Sequence, residues 1–160
     1  MKITQLVKKI FPQKTLAQAG IDLQKAIKDK NLDTVLKILL KYPNIDISNI
    51  DVQATNNYGE TLLHLAARQG NTFDVVEKLL SAGANVNAAN KDGWTPLICA
   101  VFIDNLKVVE KLFSVESIKA DAVTSDGNTA LMIATRHGNK EIAQLISNKV
   151  KLSSAVEVAK

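Results

Sequence analysis

Two histidines and one cysteine are the residues in this chain whose types could do chemistry, and their surroundings argue against it. A metal centre or a base–nucleophile pair needs ligands gathered by spacing such as His-x-x-x-His or Cys-x-x-Cys, and neither pattern occurs. His64 and His137 stand in different stretches of the chain. His137 precedes Gly138 at the end of a helical segment, where a cation meets the helix C-terminus favourably, so it reads as exposed surface. Cys99 lies between Ile98 and Ala100 with no adjacent cation to stabilise a thiolate, which makes it a small buried hydrophobe. Asp92 and Asp126 could be imagined as an acid–base pair, but each precedes a glycine and reads as a turn former. No glycine-rich phosphate loop follows a strand. The expectation is no catalytic residue, no metal and no cofactor: not an enzyme.

The elements that hold these residues repeat. Gly59, Gly93 and Gly127 fall 34 residues apart, and each is followed by a threonine that opens a similar segment: Thr61-Leu-Leu-His-Leu-Ala66, Thr95-Pro-Leu-Ile-Cys-Ala100 and Thr129-Ala-Leu-Met-Ile-Ala134. Asn71, Asn105 and Asn139 keep the same step. Such a period marks a solenoid whose units bury their apolar faces only against neighbours. Each unit reads as helix, tight turn, helix and an extended excursion. Thr61 caps a first helix, Gly70-Asn71 ends it in the manner of a C′ glycine, and Val75, Val76, Leu79 and Leu80 mark the second helix. The glycines at 59, 93 and 127 require a positive φ.

Composition sets the bounds. The apolar content of 46% supports one packed domain, and only 4% aromatics means a core of Leu, Ile, Val and Ala. A single cysteine rules out an internal disulfide, which suits a reducing, cytoplasmic compartment. No apolar run reaches the roughly 18 residues that span a bilayer, and Met1 to Phe11 lacks the h-region and cleavage site of a signal peptide. The net charge of +4 is uneven: residues 1–41 hold nine lysines against three aspartates, and the remainder is nearly neutral. A neutral repeat body argues against a nucleic-acid partner. Ile3, Leu6, Val7, Ile10 and Phe11 outline a short basic amphipathic helix stopped by Pro12, suited either to cover the edge of the first repeat or to touch a membrane surface.

Gly93-Trp-Thr-Pro-Leu-Ile-Cys-Ala100 and Ala82-Gly-Ala-Asn-Val-Asn87 resemble the ankyrin repeat. The resemblance covers residues 56–150 and, more weakly, 21–55. It implies an all-α ankyrin-type helix-turn-helix solenoid over 20–150, with units near 21–56, 57–90, 91–124 and 125–150. Residues 1–19 form an N-terminal extension and 151–160 a C-terminal tail. Leu62 and Ala130 replace the motif proline, Ile98 and Met132 the motif histidine, and Asp104 the inter-helix glycine. At His64 the resemblance implies a structural role, ordering the turns by hydrogen bonding. Tyr42 to Asn56 is a long loop whose Ile45, Ile47, Ile50 and Val52 should fold back onto the array.

The resemblance also implies a non-catalytic protein-interaction module that binds a partner protein through its concave face. Carried over by position, the contact residues are Asn57, Tyr58, Glu60, Arg68 and Gln69 in one unit. In the next they are Lys91, Asp92, Trp94, Phe102 and Ile103, and in the last Ser125, Asp126, Asn128, Arg136 and His137. Trp94, Phe102 and Ile103 form an apolar cluster at positions expected to face water, the composition of a binding hot spot. The alternative is a secreted bacterial effector or an enzyme-inhibitory ankyrin protein acting on a host target, with residues 1–19 at a membrane.

Overall fold

A computed structural model describes residues 13–29 and 31–158. Eight helices among these residues form four hairpins: α1 (Gln13–Lys28) with α2 (Leu32–Lys41), α3 (Leu62–Ala67) with α4 (Phe73–Ser81), α5 (Pro96–Phe102) with α6 (Leu106–Phe113), and α7 (Ala130–Arg136) with α8 (Lys140–Val158). First helices α3, α5 and α7 pack in one row, second helices α4, α6 and α8 in another, and α2 meets α3. β structure among the described residues is limited to two isolated bridges, Thr55 with Thr61 and Val123 with Thr129. The fold is the expected all-α solenoid.

Local chemistry starts each helix. Thr95 and Thr129 accept hydrogen bonds from Ile98 N (3.3 Å) and Met132 N (3.2 Å), and Pro96 supplies a preset φ at the first position of α5. Asn31, Asn105 and Asn139 start the second helices, their side chains accepting from Thr34 N, Val108 N and Ile142 N. Asn71 departs from this set. It takes φ +57°, while Gly70 does not take the expected left-handed cap. The turn holds one extra residue, Thr72, which starts α4 in Asn71's stead. The buried Thr72 hydroxyl can donate to the Ala66 (2.6 Å) or Gln69 (2.9 Å) carbonyl, securing the longer turn. Asp104 takes φ +54° where the motif has glycine.

The core is aliphatic and runs the length of the stack. All six residues of α3 are buried, because α3 lies between α2 and α5 and against α4. Each fully buried leucine contributes about 2 kcal/mol, and Ala66, Ala100 and Ala134, all at 0% exposure, let neighbouring helices approach closely. Ile45 and Ile47 are buried, and Ile50 and Val52 pack on the core, as expected of the long loop. Lys78 Nζ donates to the carbonyls of Pro43 and Ile45 and ties that loop to α4.

Both expected domain boundaries fall inside helices. Helix α1 begins at Gln13, ahead of the expected start of the array at 20, and α8 continues to Val158, through the stretch expected to be a tail. The basic amphipathic stretch at residues 3–11 lies outside the described residues. None of the described helices is long and apolar enough to cross a membrane.

Candidate functional site

His64 carries the chemistry of the junction between the second and third hairpins. Its ring is fully buried, and Nδ1 lies 3.1 Å from the Thr61 backbone N and 2.9 Å from the Thr61 hydroxyl. A backbone N–H can only donate, so Nδ1 must accept and the proton sits on Nε2. That N–H donates to the Trp94 carbonyl of the next unit at 3.0 Å. Burial holds the His64 pKa below its ordinary value, against the raising effect of the Trp94 hydrogen bond. The imidazole is thus a neutral cross-strut rather than a base facing substrate.

Cys99 is equally unsuited to nucleophilic work. Burial pushes its thiol up to about 12, out of the thiolate range at neutral pH. No cluster of three His, Cys, Asp or Glu side chains that could hold a metal occurs among the described residues.

The positions expected to meet a partner resolve into three stacked pairs. Within each unit a hairpin residue touches the residue eight places on, at the end of the first helix. Glu60 accepts from Arg68 Nη1 at 2.6 Å, the Trp94 and Phe102 rings meet edge to face at 5.2 Å, and Asn128 accepts from Arg136 Nη2 at 2.8 Å. The pairs repeat at the 34-residue step, so Arg68 caps the end of α3 while Phe102 and Arg136 are the last residues of α5 and α7. Phe102 also lies 5.5 Å from the His137 ring, whose Nδ1 is 3.8 Å from Asp104 Oδ1. A shallow groove of about 380 Å³ opens between the second and third hairpins, lined by Glu60, Arg68, Asn90, Asp92, Trp94, Cys99 and Phe102.

Exposure sorts the expected contact residues. Asn57, Arg68, Gln69, Lys91, Asp92, Ser125, Asp126, Arg136 and His137 face solvent, and Asn128 is half-buried. Tyr58 is 69% exposed at a hairpin tip, Phe102 51% and Ile103 36%. Trp94 is half-buried and packs on the core, so only part of its indole is available. Glu60 departs from the expected solvent-facing placement. Only 6% exposed, it accepts from Arg68 and from Asn56 Nδ2, and holds the guanidinium instead of meeting solvent. Asn90 and Cys99 line the groove and were not expected there. The signal for Asn90 was available: Asn56 precedes Gly59 by three residues as Asn90 precedes Gly93, and each accepts two backbone N–H bonds across its turn.

A family model described as ankyrin repeats (3 copies) matches residues 5–90 and again residues 63–155, which together span nearly the whole chain. The chain belongs to the ankyrin repeat family. It is 41% identical over 86 residues to "Neurogenic locus notch homolog protein 4" of Homo sapiens, a stretch that is 54% of this chain and 4% of that protein. It is 41% identical over 78 residues to "Neurogenic locus Notch protein" of Drosophila melanogaster, 49% of this chain and 3% of that one. To "Ankyrin repeat protein nuc-2" of Neurospora crassa the identity is 30% over 98 residues, 61% of this chain and 9% of that protein. The chain thus spans less than a tenth of the length of these relatives. Ankyrin repeats are protein-interaction modules, and in this ankyrin array the three stacked pairs lie on the first helices and their hairpins.

Proposed function

We propose that this ankyrin array is a non-catalytic module that docks a partner protein across the face carrying the hairpin tips and first helices, its concave side. One observation carries the reading. Phe102 is half exposed to solvent, in edge contact with the Trp94 ring and tilted contact with the His137 ring, over an open groove. An aromatic side chain left wet but held in one orientation has already lost its rotamer freedom, so binding it costs little ordering. The inert Cys99 and the neutral strut His64 leave the face without a competing chemical role.

The test is a single substitution followed by two measurements. Phe102→Ala should weaken binding of a captured partner by about 2 kcal/mol. It should lower stability by no more than about 1 kcal/mol, because half of the ring is outside the core. Retained affinity in a folded Phe102→Ala protein would refute the docking face, and a collapse of the melting temperature would reassign Phe102 to the core. Trp94→Ala is a poorer probe, since the indole also packs on buried residues.

A further inference from the structure

We propose that the partner protein inserts an arginine into the groove beside Phe102, its guanidinium set against the Asp92 carboxylate and the Trp94 and Phe102 rings. The proposal rests on the reading of this face as the docking surface and names what that surface takes. Among the groups lining the groove, Glu60 and Arg68 pair with each other at 2.6 Å, so their charges cancel. Cys99 is a buried, neutral thiol. Asp92 remains. It is exposed, and among the described residues its carboxylate makes no hydrogen bond or ion pair. Its turn is held through the backbone, where Asp92 N donates to Asn90 Oδ1 and Asp92 O accepts from Ser125 N. The groove thus carries one uncompensated negative charge, and the complementary occupant is a cation.

Neighbouring cations do not fill that role. Lys91 lies along the Gly59 tip of the preceding hairpin, its Cγ 3.4 Å from where a Gly59 Cβ would stand. Arg136 donates to Asn128 and His137 meets Asp104, and neither lines the groove. The aromatic walls choose among cations. A guanidinium is planar, weakly hydrated, stacks on aromatic rings and can offer a carboxylate two parallel N–H donors. An ammonium is compact and strongly hydrated, so it gains less from Trp94 and Phe102. The volume of about 380 Å³ is near the small end of ligand sites, which suits one long side chain with its flanking backbone.

The experiment selects a phage-displayed random dodecapeptide library on the full chain, with counter-selection against Phe102→Ala. Recovered peptides should share an arginine, and a synthetic copy should shift the emission of Trp94, the sole tryptophan. Its affinity should fall about tenfold for Asp92→Asn, fall similarly when citrulline replaces the peptide arginine, and weaken as salt is raised. The citrulline peptide removes the charge without touching the fold, and a melting curve of Asp92→Asn shows whether that variant keeps it. Asp126→Asn, on a tip that does not line the groove, should bind like the parent. An equal loss in Asp126→Asn would make the attraction a general one of the acidic tips and overturn the arginine site. Peptides that need Phe102 but carry no arginine, or that bind Asp92→Asn unchanged, would also overturn it and leave the docking face standing. A selection that yields nothing, or peptides that bind Phe102→Ala equally well, would remove both.

Discussion

His64 and Phe102 show how single residues divide the work of this chain. His64 is a polar side chain at 0% exposure, and it meets that cost by accepting from Thr61 and donating to Trp94 across the repeat boundary. His64→Ala should destabilise the fold by about 3 kcal/mol at pH 7, combining a cavity with an orphaned Trp94 carbonyl. The pH dependence has a definite sign. The folded-state pKa is depressed below the ordinary value of about 6.5, so the unfolded chain takes up the proton first as pH falls. The contribution is complete above about pH 6.5 and is lost on acidification below it. Urea unfolding at pH 7.5 and pH 5 should therefore show a smaller acid-induced loss in His64→Ala than in the parent. An equal loss would place the proton elsewhere. Phe102, 51% exposed and in contact with the Trp94 and His137 rings, is the residue on which the proposed docking depends.

At the scale of the elements, the even 34-residue step conceals two compensating differences. Thr72 adds a residue to the turn between α3 and α4, and the stretch from Ser114 to Gly127 is one residue longer than that from Ser81 to Gly93. The second hairpins stay in register because the extra residues fall in turns, where a left-handed Asn71 and the Thr72 hydroxyl absorb the first of them. The glycines of the hairpin tips are less forgiving. A Cβ at Gly93 would meet the backbone of Val123, Thr124 and Ser125 at 3.0 to 3.1 Å, in addition to the strain of φ +75°. At Gly127, with φ +76°, it would meet nothing within 4 Å. Gly93→Ala should accordingly cost about 3 kcal/mol, and Gly127→Ala only about 1 kcal/mol of backbone strain. Thermal denaturation of the two variants decides this, and equal losses would mean that the tips do not touch as closely as described.

For the molecule as a whole, stability depends on how each unit is bound to its neighbour. A polar ladder runs beside the apolar core. Gln53 donates to the Gly83 carbonyl and accepts from Asn85 N, and Asn87, 34 residues on, donates to Ser117 O at 2.7 Å and accepts from Lys119 N at 2.8 Å. The tips add Lys91 N to Tyr58 O and Ser125 N to Asp92 O. The next position in the amide register, Asp121, is exposed. Asn87→Ala should therefore destabilise by about 1–2 kcal/mol, while Asp121→Ala stays within about 0.5 kcal/mol. Chemical denaturation of both variants measures the difference, and parity would assign the coupling to the apolar contacts alone. The last unit also shows what a neighbour does: His64 and Ile98 are buried, whereas Met132 in the same register is 53% exposed.

The sequence by itself determined the repeat, the helix hairpins, the glycine turns and the inward fold of the Ile45 loop. Those follow from periodic burial and from backbone conformations that few residues adopt, and both are written in local spacing. Only the tertiary structure decided that Glu60 turns inward to hold Arg68, that Asn71 and Asn105 differ in role despite equal spacing, and that α8 runs on to Val158. It alone brought Phe102 into contact with both Trp94 and His137. The direction of a side chain at a repeat boundary is set by the unit stacked against it, and that neighbour lies some thirty residues away along the chain.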